Sequence, residues 1–258
     1  MSISSKLSNL YNIKNNIKSV LNNKRYESNQ FNNYSNIINN IKYKFSNKIS
    51  FINNPDTEID FYDIEIINLT NLNQFFKNSF NLVNIINFSN LNTLNVINTS
   101  FMFDSCINLT NIPNFDTSNV IDMNGMFNNC INLTNIPTYN TSNVTNMSGM
   151  FNNCINLSNI DLSNWDTSNV KNFSKMFYNC QSLQDINITG WDMSNANNCI
   201  EMFTNANGLS ITFYANIINL LPLATNLTNQ YVSNIGLDLN KLTETQKTIL
   251  QNKGYVDI

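Results

Sequence analysis

The sequence predicts an α/β repeat solenoid, a coil of stacked turns in which each turn supplies one short helix and one short strand. Two observations carry this expectation. The segment "NVTNMSGMFNNCINLSNI" at 143–160 nearly repeats "NVIDMNGMFNNCINLTNI" at 119–136, 24 positions earlier. Aligned copies place Phe76, Phe103, Phe127, Phe151, Phe177 and Phe203 in one column at steps of 27, 24, 24, 26 and 26 residues, a period typical of solenoids. Within a copy, apolar residues fall first at helical and then at strand spacing, and neither piece could bury its apolar side alone.

The elements follow in chain order. In residues 1–50, Leu7, Leu10, Tyr11, Ile13, Ile17, Val20 and Leu21 line one side of a helix, and Phe31, Tyr34, Ile37, Ile38 and Ile41 line a second one after a break near Ser28. This helical arm is followed by a joint at 51–60, marked by "NNPDTE" and Pro55. The coil is expected over 61–214. There Val144, Met147, Met150, Phe151 and Cys154 predict a short helix, with Thr141 and Ser142 as its N-terminal cap. The pairs Ile160/Leu162 and Ile186/Ile188 predict short strands. Residues 215–258 should close the last turn: in "KLTETQKTILQNKGYVDI" Thr243 and Gln246 have capping-box spacing and Gly254 is a helix stop.

Composition excludes several functions. Cys106, Cys130, Cys154 and Cys180 occupy one repeat position, with Ser79 in the same place upstream. A zinc site needs converging ligands, usually paired Cys and His, and the chain contains 0 His. The cysteines read as core thiols, although neighbouring turns are close enough for an occasional disulfide. Lack of His also removes the ordinary Ser or Cys triad, and Asp116, Asp166 and Asp192 recur with the repeat, which points to loop duty before acid/base duty. A calcium ladder through these Asp residues is broken at Asn140. We therefore expect no catalytic residue, no metal and no cofactor. Phe115, Tyr139, Trp165 and Trp191 share another column, which suits core packing and, less well, an aromatic strip for a glycan or protein. Asn is heavily overused and reads mostly as polar filler, so triplets such as Asn108-Leu-Thr are expected by chance.

Charge divides the chain. Residues 1–50 hold eight Lys/Arg against Glu27, and 51–258 hold six against sixteen acidic residues, a balance of +7 against −10. A basic arm ahead of an acidic body suggests docking to something negative. The arm lacks an Arg cluster or a phosphate loop, so a protein neighbour is expected rather than nucleic acid. No uninterrupted apolar run of ~18 residues or leader-like segment is visible, so no membrane span is expected.

"MFNNCINLSNIDLSNWDTSNVKNFSKMFYNC" closely resembles the Met-Phe/Cys variant of the BspA-like leucine-rich repeats of mycoplasma and anaerobe surface proteins. The resemblance covers roughly 61–214 and implies a right-handed solenoid used for binding or display, without catalysis. Asn140 in an Asp position, "WDMSNA" at 191–196 and shortened units at Pro113 and Pro137 depart from the pattern. "KLSNLYNIKNNIKSVLNNKRYESNQFNNYSNIINNI" resembles the N-terminal segment of phage tail and tail-fibre proteins, with Arg25 where those usually have Gly. Together these imply a phage virion protein, attached to virion proteins through Leu7, Leu10, Ile17, Phe31, Tyr34 and Ile38, that displays the coil to a host surface protein or glycan. The alternative is a bacterial cell-surface adhesin. Exposed amphipathic faces also lead us to expect a homo-oligomer.

Overall fold

The computed structural model describes residues 43–46, 51–61, 64–227 and 233–255. Its repeated unit is settled by where each backbone N–H goes. In the turn through Phe151, the amides of Met150, Asn152 and Cys154 donate three residues back, to the carbonyls of Met147, Gly149 and Phe151. The alternate amides of Met147, Gly149, Phe151 and Asn153 donate forward, to Asn172, Ser174, Met176 and Tyr178 of the next turn at 2.7–2.9 Å. Gly149 and Asn153 both have φ of 60°, the left-handed third residue of the tight turns Met147–Met150 and Phe151–Cys154.

The short helix expected over 144–154 is therefore replaced by a chain of tight turns. A helix keeps every N–H within its own segment and every φ negative. This segment sends half of its donors to a neighbour. Thr141 is likewise no helix cap: it is buried, and its hydroxyl donates to the Asp166 carbonyl of the following turn at 2.9 Å.

Successive turns pair in parallel. Bridges join Asn71 to Asn98, Asn98 to Asp122, Asp122 to Asn146, Asn146 to Asn172 and Asn172 to Asn198. On another side run short strands. β5 (Asn159–Asp161) and β6 (Asp185–Asn187) pair in parallel with Ile160 opposite Ile186, where the Ile-x-Leu and Ile-x-Ile spacing predicts strands. The shortened turns through Pro113 and Pro137 carry no strand there, because proline has no N–H for a ladder.

Upstream, β1 (Tyr43–Ser46) pairs with β3 (Ile64–Ile67), and β2 (Glu58–Asp60) pairs with β4 (Asn84–Ile86), both in parallel. Residues 51–60 differ from the expected joint. Phe51 donates to the Phe75 carbonyl at 2.6 Å and Asn53 to that of Lys77 at 2.8 Å, so the stack takes in β1 and starts before residue 61.

Packing inside the turns follows the Phe column. Adjacent rings lie 5.6 Å apart for Phe51 and Phe76, then 5.4 Å to Phe103, 5.5 Å to Phe127, 5.7 Å to Phe151, 5.5 Å to Phe177 and 5.7 Å to Phe203. From Phe76 onward these planes are within 12° of parallel, since each ring repeats its neighbour's backbone position one turn on. Phe213 ends the series edge-on at 5.2 Å and 68°. It sits on α1 (Ile211–Leu220), which starts on Ser210, whose hydroxyl accepts from the Phe213 amide, and which buries Phe213, Tyr214, Ile217 and Ile218.

The last turn's forward donors find carbonyls outside the repeats. Glu201 donates to Asn234 and Phe203 donates to Ile235, the latter at 2.9 Å. α2 (Glu244–Asn252) packs against α1 and begins on a reciprocal capping box between Thr243 and Gln246.

Candidate functional site

A stack of near-identical turns turns every repeat position into a column, and each column can be judged by what its side chains already do. The ladder cysteines are spoken for. The thiols of Cys106, Cys130, Cys154 and Cys180 donate to the carbonyls of Phe76, Phe103, Phe127 and Phe151 at 3.0–3.2 Å. All are free and buried, as is Cys199. Burial pushes the thiols of Cys106, Cys180 and Cys199 up to about 12, and it raises those of Cys130 and Cys154 well above the usual range. A thiol held neutral in this way is neither a nucleophile nor a metal ligand at neutral pH.

The Asp column is also structural. Asp116, Asp166 and Asp192 accept from the amides of Ser118, Ser168 and Ser194 at 2.8–3.0 Å, and Asn140 does the same for Ser142 at 3.1 Å. Hydrogen bonds from these serines hold the three carboxyls below the usual carboxylate range. Such loop-closing bonds are made above the ordinary carboxylate pKa and lost as pH falls through the lowered one. Among the described residues, no group of three or more His, Cys, Asp or Glu could hold a metal ion.

The aromatic column is core. Tyr139 and Trp165 are 1 % and 2 % exposed, and the Trp191 indole N–H donates to the Leu162 carbonyl at 3.0 Å. Phe115 rests against Phe88 and Tyr139 at 5.5 and 5.4 Å. These rings offer no outward face for a glycan or protein. Leu7, Leu10, Ile17, Phe31, Tyr34 and Ile38 lie outside the described residues.

Sequence reasoning missed the asparagines. Asn179 donates to Asn153 at 2.6 Å, Asn153 to Asn129 at 2.9 Å, and Asn129 to Ser105 at 3.4 Å, a directional amide ladder up the stack. Asn119, Asn143, Asn169 and Asn195 reach back to carbonyls of the preceding turn at 2.7–2.8 Å. Asn129, Asn153, Asn179 and Asn205 carry positive φ, which Asn tolerates better than other side chains. They are not filler. The available signal was Gly149 and Asn153 standing four apart in register with Gly125 and Asn129.

Two surface features remain after this accounting. A cleft of ≈ 460 Å³ opens between the Trp191–Ser194 loop and the chain leaving α1. Its Lys253 ammonium is already bound to the carbonyls of Asn219 and Leu221 at 2.7 and 2.5 Å. The other feature is open space over Gly149, beside Asn152. Phe101 lies against Gly125, whereas an added Cβ at Gly149 would find only the Cβ of Asn152, 3.9 Å away.

Residues 39–132 and 105–214 match the family described as "Mycoplasma protein of unknown function, DUF285", and the two windows together cover more than half of the 258 residues. The chain belongs to the DUF285 family. Its windows begin before β1 and end in the first turn of α1. A T. pallidum leucine-rich repeat protein of known crystal structure aligns with this DUF285 chain at 17% identity and a TM-score of 0.47, over 70% of this chain and 84% of that one. No curated protein matches it. No helix among the described residues is long and apolar enough to cross a membrane.

Proposed function

We propose that this DUF285 protein is a non-catalytic bacterial surface protein whose stacked turns form a leucine-rich-repeat-like solenoid of the BspA kind and present a binding face. The observation carrying this reading is the match to a mycoplasma family along the whole stack of turns. The chemistry of the columns supports it, because the thiols are neutral and buried and the carboxylates of the Asp column close loops, which leaves rigidity and surface as the molecule's assets. α1, α2 and the Asn234–Ile235 segment serve as the far cap of the coil, covering apolar surface and taking up forward donors.

The resemblance of the N-terminal segment to phage tail proteins falls on residues outside those described. The match to a mycoplasma family supports the cell surface over a virion, and on either reading attachment is assigned to the arm within residues 1–50. The decisive measurement is antibody labelling and protease shaving of intact cells that make the protein. Labelling without permeabilisation is expected, and labelling that appears only in permeabilised cells, or co-purification with phage particles, would overturn the reading.

A further inference from the structure

We infer that Asn207 is a site of spontaneous modification, where the side-chain amide is converted to Asp and isoaspartate, and that Asn124 in the same dipeptide is spared. The inference goes beyond the display role and does not depend on it. Asparagine followed by glycine is the pair most open to this reaction, because glycine offers its backbone nitrogen with no side chain in the way. Asn124-Gly125 and Asn207-Gly208 are the two such pairs in the chain. The stack treats them in opposite ways. Asn124 is tied to the following turn: its Nδ2 donates to the Ser148 carbonyl at 2.8 Å and to the Ser148 hydroxyl, and the Gly125 amide donates to that same carbonyl at 2.8 Å. Gly125 is also buried, with the Phe101 ring against it.

Asn207 and Gly208 lie in a turn at the far end of the stack, and both are exposed. Asn132, Asn156 and Ser182, which stand where Gly208 does on earlier turns, donate their amides to the Ile107, Ile131 and Ile155 carbonyls at 3.2–3.3 Å. Gly208 makes no such bond. Among the described residues, neither its amide nor the Asn207 side chain has a hydrogen-bond partner. Nothing therefore has to break before the Gly208 nitrogen, its proton given up to hydroxide, attacks Asn207 Cγ. The new N–Cγ bond closes a succinimide ring as the Cγ–Nδ2 bond breaks, and Nδ2 leaves as ammonia with a proton from water. Water then opens the ring. Attack at Cγ leaves Asp, and attack at the backbone carbonyl leaves isoaspartate, with the chain rerouted through Cβ and Cγ. Either product exchanges a neutral amide for a carboxylate. The Lys241 ammonium is in reach, since it donates to the Asn207 carbonyl at 2.8 Å and to the Leu209 carbonyl at 3.1 Å. In isoaspartate that first carbonyl becomes the free carboxylate, so the strap from Lys241 to the turn becomes an ion pair.

The test incubates the full chain, folded and in denaturant, in mildly alkaline buffer, and maps its peptides by mass spectrometry after digestion at acidic pH. In folded protein the Asn207 peptide should gain the mass of an amide turned acid and split into Asp and isoaspartate forms, at least ~10-fold faster than the Asn124 peptide, whose backbone must first open. In denaturant the two peptides should convert at similar rates, because the bonds to Ser148 are gone. Asn207→Gln copies Gln181 of the preceding turn and needs a larger, slower ring. It should lower the isoaspartate that enzymatic carboxyl methylation detects in aged folded protein. Equal rates at the two sites in folded protein, faster conversion at Asn124, an Asn207 unchanged on ageing, or isoaspartate undiminished in Asn207→Gln overturns the inference.

Discussion

At the residue scale, the backbone decides which substitutions matter. Asn153 combines positive φ with two ladder bonds, to Asn129 and from Asn179. Asn153→Ala should cost ~1–3 kcal/mol, from the left-handed penalty plus lost hydrogen bonds. Asn153→Gly loses only the bonds and should cost less, so equal denaturation midpoints for the two variants would argue against a left-handed requirement. The thiols allow a second test. Free thiols gain reactivity as pH passes ~8.5, whereas burial pushes Cys106 and Cys180 up to about 12 and raises Cys154 well above the usual range, so labelling of native protein should stay near zero from pH 7 to 9 and become complete on denaturation. The sign for stability follows. The raised thiol pKa values contribute fully below the unfolded value of 9.0 and are lost as pH climbs toward 12. Faster labelling at pH 9 in native protein would place a thiol near the surface.

At the element scale, a turn is stable only as a member of the stack. Phe151 lies between Phe127 and Phe177 at 5.7 and 5.5 Å with no exposure. Phe151→Ala should therefore remove stacking on both sides and cost ~3–5 kcal/mol. Asn152, next to it in the same tight turn, is only half-buried and its amide oxygen has no hydrogen-bond partner, so Asn152→Ala should be nearly silent in denaturant midpoint. Comparable midpoints would contradict the inward assignment. The same spacing, three, three, one and three from Val144 to Cys154, fits a helix face as well as it fits consecutive tight turns, so the apolar residues were legible and the conformation between them was not. The helix expectation weighed apolar spacing and a Thr141/Ser142 cap and gave no weight to Gly149 and Asn153, the two residues most willing to leave helical φ.

At the scale of the whole molecule, the edge of the stack is the point to test. β1 lies in parallel register with β3, Phe51 is the first ring of the column among the described residues, and the family match begins at residue 39. A chain beginning at Asn39 should melt like the full protein. One beginning at Phe61 loses β1, β2 and Phe51, and should melt about 10 °C lower or more, given ~3–5 kcal/mol for a buried Phe and 2–4 °C per kcal/mol at this size. Equal melting of the two would restore the joint expected at 51–60. Neutral location of attachment follows from the same pair: loss of cell association in the 39–258 chain with its melting unchanged would assign attachment to residues 1–38.

Sequence alone determined the period, the membership of each column and the inward side, because a repeating turn must bury the same positions every time it stacks. Phe103, Cys106, Val144 and Met147 could be assigned to the interior from spacing and period, and each is fully buried. Tertiary structure alone decided how the backbone runs between them and where the stack begins. Whether an amide at Gly149 bonds three residues back or reaches Ser174 depends on a neighbour 25 positions away, and local spacing carries no record of that choice. The roles of Asn153 and Gly149 follow from it: the forward-reaching amide calls for left-handed residues, left-handed residues admit Gly and Asn, and a column that mixes Gly with Phe101 and Lys175 leaves open space over Gly149 that only the assembled turns reveal.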